Sequence, residues 1–325
     1  MLPRALVALA GLILLAGSAT AAPFQVRDQN PLIAGALPVF PLAFVPAPGH
    51  HHFSLDSTLS NTFNRQGHPG QSESLLVDGE TAVTTIRWLA GIAPGWALGI
   101  DLPWYQHSGG RLDDFIDSYH HALGLPNGNR GSAQHNRLTI QHDSPGKPGF
   151  RLTRSRSGWG DVSIRLARAL ERSHERAATA GLRLQLPSGD GQHLLGSGQP
   201  TLSGWLASVW QPMDRWAFSA DFGVVSTQAP VGAAGRWRRF LWLGAGALSW
   251  RATPALQFAA QLDIHGPVAR GSRLRMLGSA ALLTLGGTLQ LTSATRLVIA
   301  VTEDIQVSAS PDVALQIGLT FAAFD

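Results

Sequence analysis

The sequence predicts an all-β fold: an antiparallel transmembrane β-barrel of about 12 strands, 14 at most, with a short helix in one long outer loop. Three observations predict it. The chain opens like a secretory signal peptide, it carries too few charges to cover a soluble surface, and its apolar residues alternate with period two over long stretches.

At the N-terminus one cation, Arg4, precedes an apolar run from Ala5 to Ala16 and then Gly17, Ser18, Ala19, Thr20, Ala21 and Ala22. The run falls short of the roughly 20 residues that cross a bilayer as a helix, and Ala19-Thr20-Ala21 is a small-x-small cleavage site. Residues 1–21 are thus expected to be a cleaved signal peptide, with export to the outer membrane of a Gram-negative bacterium. The chain has no Cys, which excludes a lipid-acylated N-terminus, disulfides and thiolate metal sites.

Charged residues make up 14% of the chain, against about 25% in soluble domains. No segment after the leader offers 18 consecutive apolar residues, so helical spans are excluded. The net charge of +4 comes from scattered Arg with a single Lys, Lys147. The closest basic cluster, Arg151, Arg154 and Arg156, is too short for a nucleic-acid tract, and no nucleic-acid partner is expected.

Residues 22–49 follow the leader; their stretch from Phe24 to Pro48 is Pro-rich and lacks strand period, which reads as a periplasmic or lumen-plugging segment ahead of a barrel over 50–325. The barrel strands are expected at 51–63, 78–91, 96–106, 159–170, 175–187, 200–211, 214–226, 237–251, 254–265, 275–291, 294–305 and 311–324. The pattern is plain at Trp96, Leu98, Ile100, Leu102 and Trp104, which alternate with Ala97, Gly99, Asp101 and Pro103. It recurs at Leu256, Phe258, Ala260, Leu262 and Ile264 against Gln257, Gln261 and Asp263. Soluble strands average about 5–6 residues, whereas a tilted membrane strand needs about 9–11. Length decides for the membrane barrel.

Short turns at Ala93 to Gly95, Glu171 to His174, Gln211 to Asp214, Ala252 to Thr253 and Thr292 to Ser293 alternate with long connections. That asymmetry places both termini in the periplasm. Trp96, Trp210, Trp216 and Trp250 flank the short turns as one interfacial girdle. Segments 136–142 and 149–155 are too short and polar to span, and are expected as an outer hairpin.

The longest connection holds Leu112, Phe115, Ile116, Tyr119 and Leu123 at helical spacing, ended by Gly124 and Pro126. This helix would lie over or in the barrel mouth. Its polar face presents Asp113, Asp117, His120 and His121, residue types that can ligate a metal or share a proton, although solvated or paired side chains are the commoner outcome. His50-His51-His52 cannot converge on one ion, because a strand sends alternate side chains to opposite faces. His265 is the one wall His firmly placed, beside Asp263, with no recognisable Ser partner. No catalytic residue, metal or cofactor is assigned.

The inward faces carry Arg87, Asp101, Asp161, Arg165, Arg183, Asp221, Asp263 and Arg296, together with Asp304. A lumen of mixed sign is either a selective aqueous path or a sealed network of ion pairs. Three functions follow: a small-solute channel or transporter, a plugged structural or surface-binding barrel, and a lipid-acting enzyme using Asp117, His120 and His121. The expected partners are outer-membrane lipid, the outer-membrane assembly machinery and a small solute.

Three stretches carry a family resemblance: Phe24-Gln25-Val26-Arg27-Asp28-Gln29-Asn30-Pro31-Leu32, the Gly-Gly-x-Leu-Asp segment ending Gly124-Leu125-Pro126-Asn127-Gly128, and Gly158-Trp159-Gly160-Asp161. With them the chain resembles the domain of unknown function 3187 family of uncharacterised Gram-negative outer-membrane proteins. The resemblance implies an outer-membrane barrel and brings no site residues. The last strand, with Gln316, Gly318 and Phe321, also resembles the polar-x-Gly-x-x-aromatic signal read during outer-membrane assembly, although Asp325 follows the final aromatic residue.

Overall fold

Period-two alternation becomes a closed wall once the first and last strands pair, and they do. A computed structural model describes residues 24–40, 43–67, 73–110, 136–144, 149–230 and 236–323. Twelve antiparallel strands form the wall: β1 (His51–Gln66), β2 (Ser74–Ala93), β3 (Trp96–Ser108), β7 (Ser163–Arg172), β8 (Arg176–Gln185), β9 (Thr201–Met213), β10 (Trp216–Ser226), β12 (Phe240–Arg251), β13 (Leu256–His265), β15 (Ala280–Gln290), β16 (Thr295–Asp304) and β17 (Val313–Ala323). β1 pairs with both β2 and β17, with Leu55 opposite Leu319 and Ile86, so no wall strand is left with an open edge.

Five short strands extend the long-loop end. β4 (Thr139–Asp143) pairs with β2, β5 (Phe150–Leu152) pairs with β4, and β6 (Arg156–Trp159) pairs with β3 ahead of β7. β11 (Arg236–Trp237) and β14 (Ala269–Arg270) make a separate two-stranded ribbon. The outer hairpin expected over 136–142 and 149–155 thus adds to the rim, and the wall count stays at twelve. The stretch expected as one strand over 159–170 is broken at Gly160-Asp161-Val162. There Gly160 donates to Pro103 O at 2.7 Å, and Asp161 turns into a loop.

The expected loop helix, with Asp113, Asp117, His120 and His121, lies outside the described residues. Among the described residues the helical structure is two 3-10 turns, Gly191–His193 and Arg275–Leu277, so the helix gains no support.

Outward positions are Leu, Ile, Val, Phe and Trp, and they are exposed in the isolated protein, as a lipid-facing band requires: Leu182, Leu206, Phe222 and Ile317 are each more than half uncovered. Trp96, Trp210, Trp216 and Trp250 sit beside the short turns on this outer surface. Arg168 lies over the Trp96 ring and Arg176 over Trp210, and Trp250 stacks between Trp216 and Phe258. A cation held against an indole suits the polar edge of the apolar band.

Candidate functional site: the filled lumen

Inward alternation leaves a cavity that the wall alone does not fill, and residues 24–40 and 43–48 occupy it. Gln25, Val26, Arg27 and their neighbours have no strand partner, so their backbone groups take side chains of the wall instead. Gln261 on β13 accepts from Phe24 N at 2.8 Å and donates to Phe24 O at 3.1 Å. The chain then climbs to the long-loop end. Asp28 Oδ2 meets His265 Nε2 at 3.0 Å and accepts from Ser310 Oγ at 2.8 Å, and Asn30 Nδ2 donates to Met276 O at 2.7 Å.

A turn follows, in which Ala34 N donates to Asn30 O at 2.8 Å and Leu37 N to Ile33 O at 3.1 Å. Gln185 on β8 caps it from the wall by donating to Gly35 O at 2.7 Å. The chain descends past Phe40, which stacks on Trp205, and rejoins the wall at the short-turn end, where Gly49 N donates to Gly91 O. Gly223 and Gly91 make room for this path: a Cβ at the first would collide with the Phe40 ring, and at the second with Ala47 O.

The apex of this loop is dry. Leu32, Ile33 and Leu37 pack with Leu75, Val77, Ile140, Val225, Leu241 and Met276, all buried. Fully burying a side chain of this size is worth about 1.5–3 kcal/mol. Below it, Phe40, Ala43 and Val45 pack on Ala97, Ala167, Trp205, Ala207 and Val209.

The charged residues expected in the lumen divide into two groups. On one side Arg87 is bonded to Asp56, and Arg165 to Asp101 at 2.7 Å, while Arg183 is buried with its Nε and Nη1 unpaired. Arg27 from the lumen segment joins this side by donating to Tyr105 Oη at 2.8 Å. On the other side, Asp221 and Asp263 line a small cavity of about 30 Å³ against Arg27, Asp28 and Phe40. Asp263 accepts from Gln261, and its expected neighbour His265 binds Asp28 instead. Asp304 accepts from Ala309 N and Ser310 N, which fixes a loop. Asp161 likewise accepts from Gly189 N, Ser197 N and Gln185 Nε2, so its carboxylate fastens the 186–200 connection. Arg296 sits at the short-turn end, with Nε 3.4 Å from Gln290 Oε1.

Sequence reasoning missed the residues that hold the lumen segment, Arg27, Asp28, Gln185, Trp205 and Ser310, and Asp56, which pairs Arg87. Inward alternation signalled Asp56, Gln185 and Trp205. Arg27 and Asp28 lie in the motif that carried the family resemblance. No group of His, Asp and Glu suited to hold a metal ion occurs among the described residues.

The family model described as protein of unknown function (DUF3187) matches residues 7–323. The chain belongs to that family. Among solved structures, an outer membrane channel from Pseudomonas putida F1 aligns at a TM-score of 0.55 and 11% identity, covering 86% of this chain and 97% of its own. The NanC porin aligns at 0.45 and 10%, covering 83% and 98%, and the CymD monoaromatic hydrocarbon channel at 0.42 and 12%, covering 94% and 95%. At these identities the first likeness shows the shared barrel fold. No curated protein matches the sequence.

Proposed function

We propose that this member of the family is an outer-membrane channel for small solutes, closed at rest by its own residues 24–48. The observation that carries the reading is the way this segment is held. It is threaded through a closed twelve-strand barrel, yet fixed by side-chain bonds and packing that can be broken without unpairing a wall strand. Among the described residues, its backbone makes a single isolated bridge to the wall, Pro48 to Gly91. The fold shared with an outer membrane channel supports the same reading.

The short-turn end then faces the periplasm, the leader is removed near Ala22, and the assembly machinery engages the last strand, which closes the barrel on β1. The test is conductance in planar lipid bilayers of the mature protein and of a variant lacking residues 24–40. The intact barrel should stay closed or open briefly, and the deletion should conduct steadily. Steady conductance of the intact protein would remove the closed resting state. A sealed membrane with the deletion would instead favour a structural barrel, the reading that the dry apex of the segment supports.

A further inference from the structure

Among the described residues, the lumen segment leaves a space unfilled at its base, a cavity of about 120 Å³ at the short-turn end. Its polar side is cationic: Arg87, Arg165 and Arg296 line it, with Asp56 the single carboxylate among the lining residues. Arg87 is satisfied by Asp56. Arg165 reaches Asp101, but its Nε is buried without a partner, and the residue is only 4% exposed. Arg296 has no acidic partner among the described residues, and its one bond is the long contact from Nε to Gln290. The rest of the lining includes Phe24 and Phe44 from the lumen segment, with Leu89 and Val298 next along the inward faces from Arg87 and Arg296. Phe44 is held edge-on against the His52 ring at 4.9 Å.

We infer that this cavity binds a small amphipathic carboxylate, with its charged head on Arg296 and its apolar body against Phe24 and Phe44. A planar carboxylate matches the fork of a guanidinium bidentately. Arg87 and Arg165 already have Asp56 and Asp101, so the half-buried Arg296 is the cation that an anion would satisfy. The phenyl rings reward an organic body that a hydrated inorganic anion lacks. The inference deepens the channel reading by naming a solute class and rests on that reading for its meaning in the cell, but binding is measured without transport.

Titration calorimetry on the detergent-solubilised mature protein would use benzoate as probe, benzyl alcohol as its uncharged counterpart, and inorganic phosphate. Benzoate should bind at least tenfold tighter than either. Arg296→Gln should weaken benzoate about tenfold, and Arg296→Lys, which keeps the charge and loses the fork, by less. Equal affinity for benzoate and benzyl alcohol would overturn the proposal, as would phosphate binding as tightly as benzoate, or an Arg296→Gln barrel that keeps its heat-modifiable gel mobility and full affinity. The comparison of the three probes on the unaltered protein decides even where a variant does not fold. Binding with bilayers sealed after deletion of 24–40 would sink the channel reading alone; conductance without binding would sink this one alone.

Discussion

The two ends of the lumen are built from opposite materials. At the long-loop end, segment, wall and loops contribute Ile33, Leu37, Val77, Ile140, Leu241 and Met276 to one dry cluster. At the short-turn end the same segment leaves an open, cationic space beside Arg165 and Arg296. Apolar contact is free of direction and needs no partner geometry, so it seals; the polar end keeps room because arginines held to the wall cannot collapse onto one another. The difference assigns closure to the apex of the segment and solute contact to its base.

The largest effect should therefore come from charging the apex. Ile33→Asp with Leu37→Asp places two unpaired carboxylates where water is excluded, and undocking the segment is the only inexpensive relief. The expected outcome is a barrel that still shows heat-modifiable mobility on gels but passes current continuously in bilayers. A barrel that stayed closed would move the seal from the apex to the loops above it.

A smaller effect is expected at the polar latch just below. His265→Ala leaves the buried Asp28 carboxylate with Ser310 Oγ and Asn30 N but without its imidazole partner, a loss of about 1–3 kcal/mol. Since 1.4 kcal/mol is a factor of ten, open probability in single-channel records should rise by roughly tenfold or more. Asp28→Asn keeps an acceptor for Ser310 and should fall between this variant and the unaltered protein. If His265→Ala leaves the open probability unchanged, the latch is incidental to closure.

Lower still, Phe40 stacks on Trp205 with ring centroids 6.0 Å apart, a contact worth about 0.5–1.5 kcal/mol beyond its burial. Trp205→Leu keeps an apolar surface and removes the stack, so open probability should rise only a few-fold. An effect larger than that of His265→Ala would reverse the order of the two ends.

This gradient explains what was legible in the sequence. The wall could be read because each strand repeats one decision, apolar toward lipid and small or polar toward the lumen, and the register follows once neighbours are joined: Arg87 stands directly opposite Asp101, as the alternation places it. The closest ion pairs could not be read. Arg87 lies 3.9 Å from the Asp101 that faces it but bonds Asp56 on the other neighbouring strand, and Asp101 bonds Arg165, two positions along from the Ser163 that faces it on β7. Side-chain reach and the curvature of the wall decide between such neighbours, and neither is written in a period. The break at Gly160 was hidden for a similar reason: the residue continues an acceptable strand pattern, and only the Tyr105 ring packed beside it leaves no room for a larger side chain. The lumen segment showed only its lack of period, because its partners lie as far as 291 positions away, as between Gln25 and Gln316.

The smallest expected effect lies beyond the seal, in the hairpin of β4 and β5, and it is a dependence on pH. Burial pushes the His142 imidazole below its ordinary value of 6.5; the bond to Glu73 and the nearby charges of Glu73 and Asp143 oppose the shift and do not cancel it. Nε2 lies 3.3 Å from Glu73 Oε1, while Nδ1 is buried without a partner. The folded hairpin therefore prefers the neutral ring, and protonation favours the opened form. Its stability should be full above pH 6.5, fall as the pH drops below that value, and level off once the pH is below the folded-state value as well. Protection factors for amides in Thr139–Asp143, corrected for intrinsic exchange, should follow this course, and His142→Gln should flatten it. Because Glu73 also accepts from Ser272 Oγ at 2.8 Å, loosening the hairpin should reach the 266–279 connection and through it Met276, whose carbonyl holds Asn30 at the apex. A pH course at the hairpin with no matching change in exchange around Met276 would confine the outer loops to a covering role and leave closure to the lumen segment alone.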